Sequence, residues 1–309
     1  MTEPYLARLT ARLSDGLARQ SAAFRRRHAD YLRACQNGDG GFSGRDPASD
    51  LYYTSFALRG LALLDALDAE VAERAALYLQ QRLQGSASVI DFFSLLYAAA
   101  LVQHAASIDV LAEAPADWPE RVAALLESLR HADGGYGKAV GATSGSTYHT
   151  FLVALCYELL GKPLPRPDDV VRFARSRQRE DGGYVEIGPM RRSGANPTAA
   201  AIGTLRIRDT LDEDVRERAI AMLAGLQSAE GGLLANGRVP LADLLSTFTG
   251  GWTLVDLGGF DRIDRTAALR YVKTLERPEG GFHGGTWDAG FDVEYTFYGL
   301  GAIALLDAV

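Results

Sequence analysis

The stretch that decides the fold is Gln36-Asn-Gly-Asp-Gly-Gly-Phe42, because it returns along the chain with a nearly constant period. Further copies are RHADGGY (130–136), QREDGGY (178–184), QSAEGGL (227–233) and ERPEGGF (276–282), and a shorter copy is Gln81-Arg-Leu-Gln-Gly85. The first glycine of each copy falls at 40, 85, 134, 182, 231 and 280, so the spacings are 45, 49, 48, 49 and 49 residues. Such a fixed period is typical of repeat architectures, in which each repeat is one supersecondary unit.

Each repeat is predicted to contain two helices. An amphipathic segment such as 219–227 precedes the glycine pair, and a more apolar segment such as 51–64 follows it. The glycines are predicted to end the first helix, because glycine adopts the left-handed conformation without steric cost. A helix that is apolar nearly all round has to be buried, whereas an amphipathic helix belongs outside. The sequence therefore predicts an all-α fold, an (α/α)6 toroid of inner and outer helices, with an open superhelix as the competing arrangement.

Length and composition set the remaining limits. Division of 309 residues by about 150 per domain suggests two domains, but the continuous repeat favours one domain over 1–309, with an extra N-terminal helix within 1–20. At 47% hydrophobic and 23% charged residues the chain can bury a core, and the net charge of −7 argues against nucleic-acid binding. No membrane-spanning run and no secretory signal is seen. Two cysteines, Cys35 and Cys156, are typical of a reducing cytoplasm.

The first turns of the inner helices share a polar residue, which is predicted to be the N-cap that accepts hydrogen bonds from free backbone N–H groups. In a ring of parallel inner helices all six starts lie on one rim, together with six positive helix ends. That rim would collect carboxylates and would favour an anion, directly or through Mg²⁺. The six predicted N-caps are Asp50, Asp91, Ser146, Asn196, Asp243 and Asp292.

Candidate substrate-binding residues lie at this rim and just below it. The loops that lead to the rim carry arginines that could receive a diphosphate, and the inner helices carry many aromatic side chains. Aromatic faces could line a central cavity, accept a long apolar ligand and stabilise a carbocation. The candidates are Arg191, Arg192, Arg238, Asp50, Tyr53, Tyr148, His149, Phe248, Trp252 and Tyr295.

The repeat and the helix starts resemble those of the α/α-toroid superfamily, which contains the β subunits of protein prenyltransferases and the squalene/terpene cyclases. The opening pattern Ala34-Cys35-Gln36 with Gly40-Gly41, followed by Leu51-Tyr-Tyr-Thr54, is most similar to the geranylgeranyltransferase type II β subunit. The resemblance covers nearly the whole chain. It implies a funnel that holds an isoprenoid chain.

The zinc motif of the protein prenyltransferases is incomplete here. The resemblance places Arg238 and Asp243 on that motif, but Leu245 stands at the position of the zinc-binding cysteine and Tyr295 at that of the histidine. The histidine that contacts diphosphate in the family is replaced by Ser146. Since zinc needs about four ligands, we expect neither zinc nor cysteine prenylation.

The acid motif of the cyclases, Asp-x-Asp-Asp-Thr, resembles Asp292-Val-Glu-Tyr-Thr296. The resemblance gives Glu294 the place of the proton donor, and a carboxyl group that faces an apolar cavity has a raised pKa. The expected catalytic residues are therefore Asp292, Glu294 and Asp243. Mg²⁺ is possible at Asp50 and Asp243, and no other cofactor is expected.

Three functions are compatible with these residues. The leading hypothesis is an isoprenoid-processing enzyme with terpene cyclase or synthase chemistry and no zinc. The alternatives are a zinc-independent prenyltransferase that acts on a small molecule and a non-catalytic isoprenoid-binding protein. A carbohydrate-active toroid would also require a carboxylate pair on the rim. The expected ligand is an isoprenoid small molecule. The protein is expected to be a monomer or a homodimer, and the question of an α-type partner subunit stays open.

Overall fold

The chain folds into two concentric rings of α-helices. The computed structural model describes residues 3–83 and 88–307. Six inner helices contact one another in chain order, and the last contacts the first. The inner helices are α3 (Leu51–Leu63), α5 (Val89–Ala106), α7 (Thr147–Leu159), α9 (Ala195–Ile207), α11 (Leu244–Leu257) and α13 (Val293–Leu306). The outer helices are α2 (Ala22–Ala34), α4 (Ala69–Arg82), α6 (Trp118–Ser128), α8 (Pro167–Ser176), α10 (Glu213–Ala224) and α12 (Arg265–Thr274).

This arrangement confirms the predicted all-α toroid. The contact between α13 and α3 closes the inner ring, which an open superhelix would not do. The remaining helix, α1 (Tyr5–Ala18), packs against α13 and α3 and also contacts α9. A short 3-10 helix, Phe260–Arg262, follows α11. One described helix, α5, is long and apolar enough to cross a membrane, but it packs between α3, α4 and α7 as an inner helix of the ring.

In the described residues, short antiparallel pairings place the starts of α3, α7, α9, α11 and α13 beside the segment that follows a glycine pair. In the first repeat β1 (Phe42–Ser43) pairs with β2 (Ser49–Asp50), and in the last β3 (Phe282–Gly285) pairs with β4 (Asp288–Asp292). Single bridges such as Tyr136 to Ser146 take the same place in other repeats. These pairings fix where the inner helices begin.

The glycine pairs do not end the preceding helices, so that part of the prediction was wrong. The outer helix α2 ends at Ala34, and its C-cap residue Cys35 is right-handed, well before Gly40. Gly40 has the expected positive φ, +88°, but this conformation belongs to the turn that follows the helix and not to the end of the helix itself. A Cβ atom there would lie 2.0 Å from the backbone oxygen of Arg74 on the next outer helix. The glycines therefore allow neighbouring repeats to approach closely.

The recurring glutamine of the repeat links two of the turns to the next repeat. Gln36 Nε2 donates to the carbonyl oxygens of Gly40 and Val71, at 3.0 and 3.1 Å. Gln227 makes the corresponding bonds to Gly231 and Asp264. The glutamine thus satisfies backbone acceptors of two repeats at once. Gly85 of the shorter copy lies outside the described residues.

Four of the six predicted N-caps are confirmed, namely Asp50, Ser146, Asp243 and Asp292. Two were wrong. α5 begins three residues earlier than predicted, with Ser88 as its N-cap and Asp91 as the third helical residue of a capping box. α9 begins after Gly194, which puts Asn196 inside the first turn.

Where the last repeat meets the first, Glu276 stands at the glutamine position and contacts His28 of the first repeat. His28 on α2 is fully buried, its Nδ1 accepts from the N–H of Gly281 at 3.1 Å, and its Nε2 lies 3.3 Å from Glu276. This geometry needs a neutral imidazole with the proton on Nε2, since Nδ1 is an acceptor. Burial lowers the pKa of His28.

Because the pKa of His28 is lower in the folded than in the unfolded chain, we expect stability to fall as pH decreases from 7 to 5. The unfolded chain binds more protons below its histidine pKa of about 6.5, and each pKa unit is worth about 1.4 kcal/mol. Urea unfolding of the wild type and of His28→Gln at both pH values measures this. The variant should show a smaller pH dependence, and an unchanged one would contradict the assignment.

Candidate functional site

The starts of the inner helices surround one opening of the ring. The segments before and at these starts contact each other between α7 and α9, between α9 and α11, and between α13 and α3. The N–H of Thr147 donates to the carbonyl of Glu186 at 3.0 Å, and that of Ala195 donates to Ala235 at 2.9 Å. Across the junction of last and first repeats, Arg45 Nη2 donates to Asp288 at 2.6 Å. We call this opening the mouth.

A cavity of about 760 Å³ lies inside the inner ring. This volume is in the range of pockets that bury small-molecule ligands. Its wall is mostly apolar, with aromatic side chains from α3, α5, α7, α11 and α13. The predicted aromatic inner surface therefore exists, and the centre of the ring is open.

Helix α1 closes the far end of the cavity. Five of its residues line the wall, namely Tyr5, Leu6, Leu9, Thr10 and Leu13. Its polar contacts reach the ends of the inner helices: the N–H of Tyr5 donates to Glu158 at 3.1 Å, and Arg8 pairs with Asp256 at 2.6 Å. The indole N–H of Trp252 donates to the hydroxyl of Tyr5 at 2.7 Å. The cavity thus opens at the mouth and has a floor.

Glu294 lies on the cavity wall at the second position of α13. Its Oε1 accepts from the hydroxyl of Tyr52 at 2.6 Å and from that of Tyr298 at 3.1 Å. Within the described residues no hydrogen bond to Oε2 is found. Burial raises the pKa of Glu294, and the two phenol donors and the charge of Arg59 act in the opposite direction. Glu294 can therefore hold a proton on Oε2. Once this proton is lost, the two phenol hydroxyls stabilise the carboxylate that remains.

The other two predicted catalytic carboxylates do not line the cavity. Asp292 is 2% exposed, caps α13 through the N–H of Tyr295 at 2.8 Å, and pairs with Arg45 at 3.3 Å. Asp243 caps α11 and accepts from the N–H and the hydroxyl of Ser246, at 2.6 and 2.9 Å. Burial raises the pKa of both groups. Their oxygens are thus used in holding the helix starts.

The predicted substrate-binding residues divide into two sets. Those on the cavity wall are Asp50, Tyr53, Tyr148, Phe248 and Trp252. Those that the wall does not include are Arg191, Arg192, Arg238, His149 and Tyr295. The three arginines are exposed on the loops at the mouth, and the ring of Tyr295 lies beneath the guanidinium of Arg45 at 5.1 Å.

A hydrogen-bonded group at the mouth includes Glu186, which sequence reasoning did not identify. The hydroxyl of Ser146 bonds to Glu186 and lies 2.8 Å from Nδ1 of His149. If the hydroxyl donates to the carboxylate, Nδ1 carries the proton of the imidazole. Burial lowers the pKa of His149, so the ring is neutral near pH 7. Glu186 itself lies on the cavity wall.

Arg59 is the second functional group that sequence reasoning missed. It is 9% exposed, lies on the cavity wall, and its guanidinium carbon is 3.9 Å from the ring centre of Phe56 and 4.8 Å from that of Phe297. Phe93 and Tyr97 also face it, at 5.8 and 5.4 Å. The aromatic faces of the inner helices were expected to stabilise a carbocation, but a cation of the protein already lies against these four rings. The signal in the sequence was a single charge in the apolar helix α3.

Apolar side chains are exposed around the mouth. Most exposed large apolar residues of the described chain lie on the loops there or on the first turn of α7. Lys138 and the three predicted arginines are exposed among them. The exposed apolar residues around the mouth are Val140, Tyr148, Ile187, Met190, Val239, Leu241, Trp287 and Phe291.

The residues present do not fit the zinc site of protein prenyltransferases. Leu245 offers no ligand atom, and Asp243 is engaged by Ser246. In residues 3–83 and 88–307 no group of three or more His, Cys, Asp or Glu side chains is placed to hold a metal ion.

Three overlapping segments, 10–185, 78–233 and 196–309, match the family model of the prenyltransferase alpha-alpha toroid domain. Overlapping matches are expected of a chain built from similar repeats. No curated protein matches the sequence.

Solved structures share the fold at low sequence identity. A protein geranylgeranyltransferase-I of Candida albicans, complexed with GGPP, has 13% identity and a TM-score of 0.69, over 91% of this chain and 90% of that chain. The type II terpene cyclase MstE from Scytonema, as a variant in complex with geranylgeranyl dihydroxybenzoate, has 15% identity and a TM-score of 0.63, over 98% and 99%. A glycosidase has 13% identity and a TM-score of 0.59, over 96% of both chains. With the family match spanning 10–309, the chain belongs to the prenyltransferase alpha-alpha toroid family.

Proposed function

We propose that this protein is an isoprenoid-processing enzyme that binds a polyprenyl chain in the central cavity and protonates one of its double bonds with Glu294. The observation that carries the proposal is the pairing of a carboxyl group of raised pKa with two phenol donors on the wall of an apolar cavity. Two structural neighbours are complexes with GGPP and geranylgeranyl dihydroxybenzoate, which supports an isoprenoid ligand.

The chemical step transfers one proton. The O–H bond at Oε2 breaks, the π electrons of a double bond form a C–H bond, and a carbocation remains on the more substituted carbon. A second double bond of the same chain attacks this cation and closes a ring. Loss of a proton to a carboxylate then gives a cyclic isomer of the substrate, without redox change. Tyr52 and Tyr298 would stabilise the Glu294 carboxylate after it has given up its proton.

The position of the carbocation follows from the charges of the wall. Arg59 repels a cation near Phe56 and Phe297, since two like charges interact strongly where water is excluded. Aromatic faces away from Arg59 are available on α7 and α11, where Phe151 and Trp252 both lie near Tyr5. The first cation forms one bond from the carbon that Glu294 protonates, so these faces would stabilise a later cation, which ring closure leaves further along the chain.

Incubation in D2O tests this function. Polyprenyl acids, alcohols and diphosphates of fifteen and twenty carbons are supplied singly, and products are analysed by mass spectrometry. Protonation by Glu294 introduces deuterium into the product, because the carboxyl proton exchanges with solvent. We expect a cyclic isomer that carries one C–D bond. A product that forms without deuterium would indicate ionisation of a diphosphate instead, and no product from any chain would contradict the proposal.

The two alternatives give different results in the same experiment. A prenyltransferase would consume the diphosphate only when a second, nucleophilic substrate is added. A binding protein would return the chain unaltered. Diphosphate binding at Arg191, Arg192 and Arg238, Mg²⁺ at Asp50 and Asp243, and the cytoplasmic location stay predictions.

A further inference from the structure

Arg59 is a buried cation that forms no ion pair with the described residues. It is the only charged residue of α3, and its single hydrogen bond to the described chain runs from Nε to the carbonyl of Ser55, at 3.2 Å. No carboxylate of the described residues lies within ion-pair distance of it. An arginine has five N–H donors, so those of Nη1 and Nη2 remain for another acceptor.

Such a group is costly unless something compensates it. A buried charge usually has a counter-charge and hydrogen bonds, and removal from water strongly disfavours it otherwise. The faces of the Phe56 and Phe297 rings attract the charge of Arg59. These side chains have no oxygen or nitrogen atom that could accept its N–H groups. Burial accordingly lowers the pKa of Arg59. A ligand anion would supply both the missing charge and the missing acceptors.

Arg59 lies well below the mouth. It is nine residues after the N-cap Asp50, whereas Glu294 is two residues after the N-cap Asp292. At the rise of an α-helix the difference of seven residues places the Cα of Arg59 about 10 Å deeper than that of Glu294, but the Arg59 side chain points back along the helix and its guanidinium lies against the ring of Phe56. An anion at Arg59 is therefore inside the cavity.

The charges of the wall limit the anion to one negative charge. The charged residues on the cavity wall are Arg59, Asp50, Glu186 and Glu294, so there is one cation and there are three acids. A diphosphate carries more negative charge than Arg59 can balance. A carboxylate carries one, and its two oxygens match the planar fork of a guanidinium.

We propose that Arg59 binds the carboxylate of an elongated apolar acid, so that the ligand enters with its acidic end towards the floor of the cavity. That the apolar chain of this ligand is a prenyl chain rests on the proposed function. That the ligand carries a carboxylate rests on Arg59 alone. The apolar chain then covers the wall between Arg59 and Glu294.

The test compares acids with alcohols of the same chain. Binding of geranylgeranoic acid, geranylgeraniol and palmitic acid is measured by isothermal titration calorimetry on the wild type and on Arg59→Met. The wild type should bind geranylgeranoic acid about tenfold or more tightly than geranylgeraniol. Arg59→Met should lose this preference and keep its affinity for the alcohol within about threefold. Arg26→Met, at an exposed position of α2, is the matched control and should keep the preference.

The outcomes separate this inference from the proposed function. Equal binding of acid and alcohol by the wild type, or a preference that survives in Arg59→Met, overturns the carboxylate site alone. Palmitic acid that binds through Arg59 while both prenyl ligands fail supports the site and contradicts the isoprenoid function. Failure of all three ligands overturns both. Thermal unfolding shows whether Arg59→Met is folded, and Arg59→Lys, which keeps the charge, should retain part of the preference.

Discussion

Glu294→Gln is expected to reduce the rate of product formation by about 100- to 10,000-fold, the contribution of a general acid. Glutamine has the size of glutamate, and its amide oxygen can accept the same hydrogen bonds from Tyr52 and Tyr298. It cannot donate an acidic proton. The cavity should therefore keep its shape and bind the chain with unchanged affinity. Single-turnover kinetics and a binding titration separate these two effects.

The matched control is Glu73→Gln on the exposed face of α4, which should leave the rate unchanged. Tyr52→Phe gives an independent check of the acid role. The hydroxyl of Tyr52 lowers the pKa of Glu294, so its removal should raise that pKa. Activity needs the protonated acid, and we expect it to persist to higher pH in this variant. A Glu294→Gln enzyme with wild-type activity would show that another group initiates the reaction.

The toroid could be predicted from the sequence because one repeat specifies one helical hairpin and six repeats leave no exposed end. The boundaries within a repeat could not. Gly40 was expected to end α2, yet the helix ends at Ala34. The need for glycine comes from Arg74 in the following repeat, which a local pattern does not contain. A tertiary contact therefore imposes the same residue that a helix end would favour.

The two wrong N-caps have local causes. At α5, Ser88 precedes Asp91 by three residues, and the pair forms a capping box, so the carboxylate of Asp91 bonds back to Ser88 instead of starting the helix. At α9 the cap is Gly194, and Asn196 instead accepts a hydrogen bond from the hydroxyl of Thr249 at 2.6 Å. Asn196 thus lies on the cavity wall, as an inner-helix residue rather than a helix cap.

The candidate site was predictable in part. Asp292 and Glu294 are two residues apart in the motif. The carboxylate of Asp292 caps the backbone at the start of α13, whereas that of Glu294 faces the cavity. Sequence spacing alone could not separate these roles. Arg59 was missed because one charge barely changes the apolar average of α3. The direction of its side chain, into the ring, depends on the neighbouring helices.

Gly280→Ala is expected to lower the free energy of unfolding by about 3 to 5 kcal/mol. Gly280 has a φ of +97°, which is strained for alanine, and the added Cβ would lie 2.5 Å from the backbone oxygen of Arg27. Arg27 belongs to α2, so this contact joins the last repeat to the first. The substitution acts where the outer ring closes, and the neighbouring backbone cannot move without separating the two repeats. Urea unfolding followed by circular dichroism measures the change.

Gly38→Ala is the matched control, because Gly38 lies in the same type of turn in the first repeat. A Cβ there meets nothing within 4 Å, and its φ is not positive. That substitution should stabilise the protein slightly, by less than about 1 kcal/mol, since alanine has fewer conformations than glycine in the unfolded chain. If the two variants unfold at the same urea concentration, the close approach of Gly280 to Arg27 does not hold the ring together. A large difference between them means that closure of the ring, and with it the enclosure of the cavity, depends on a turn that only glycine can form.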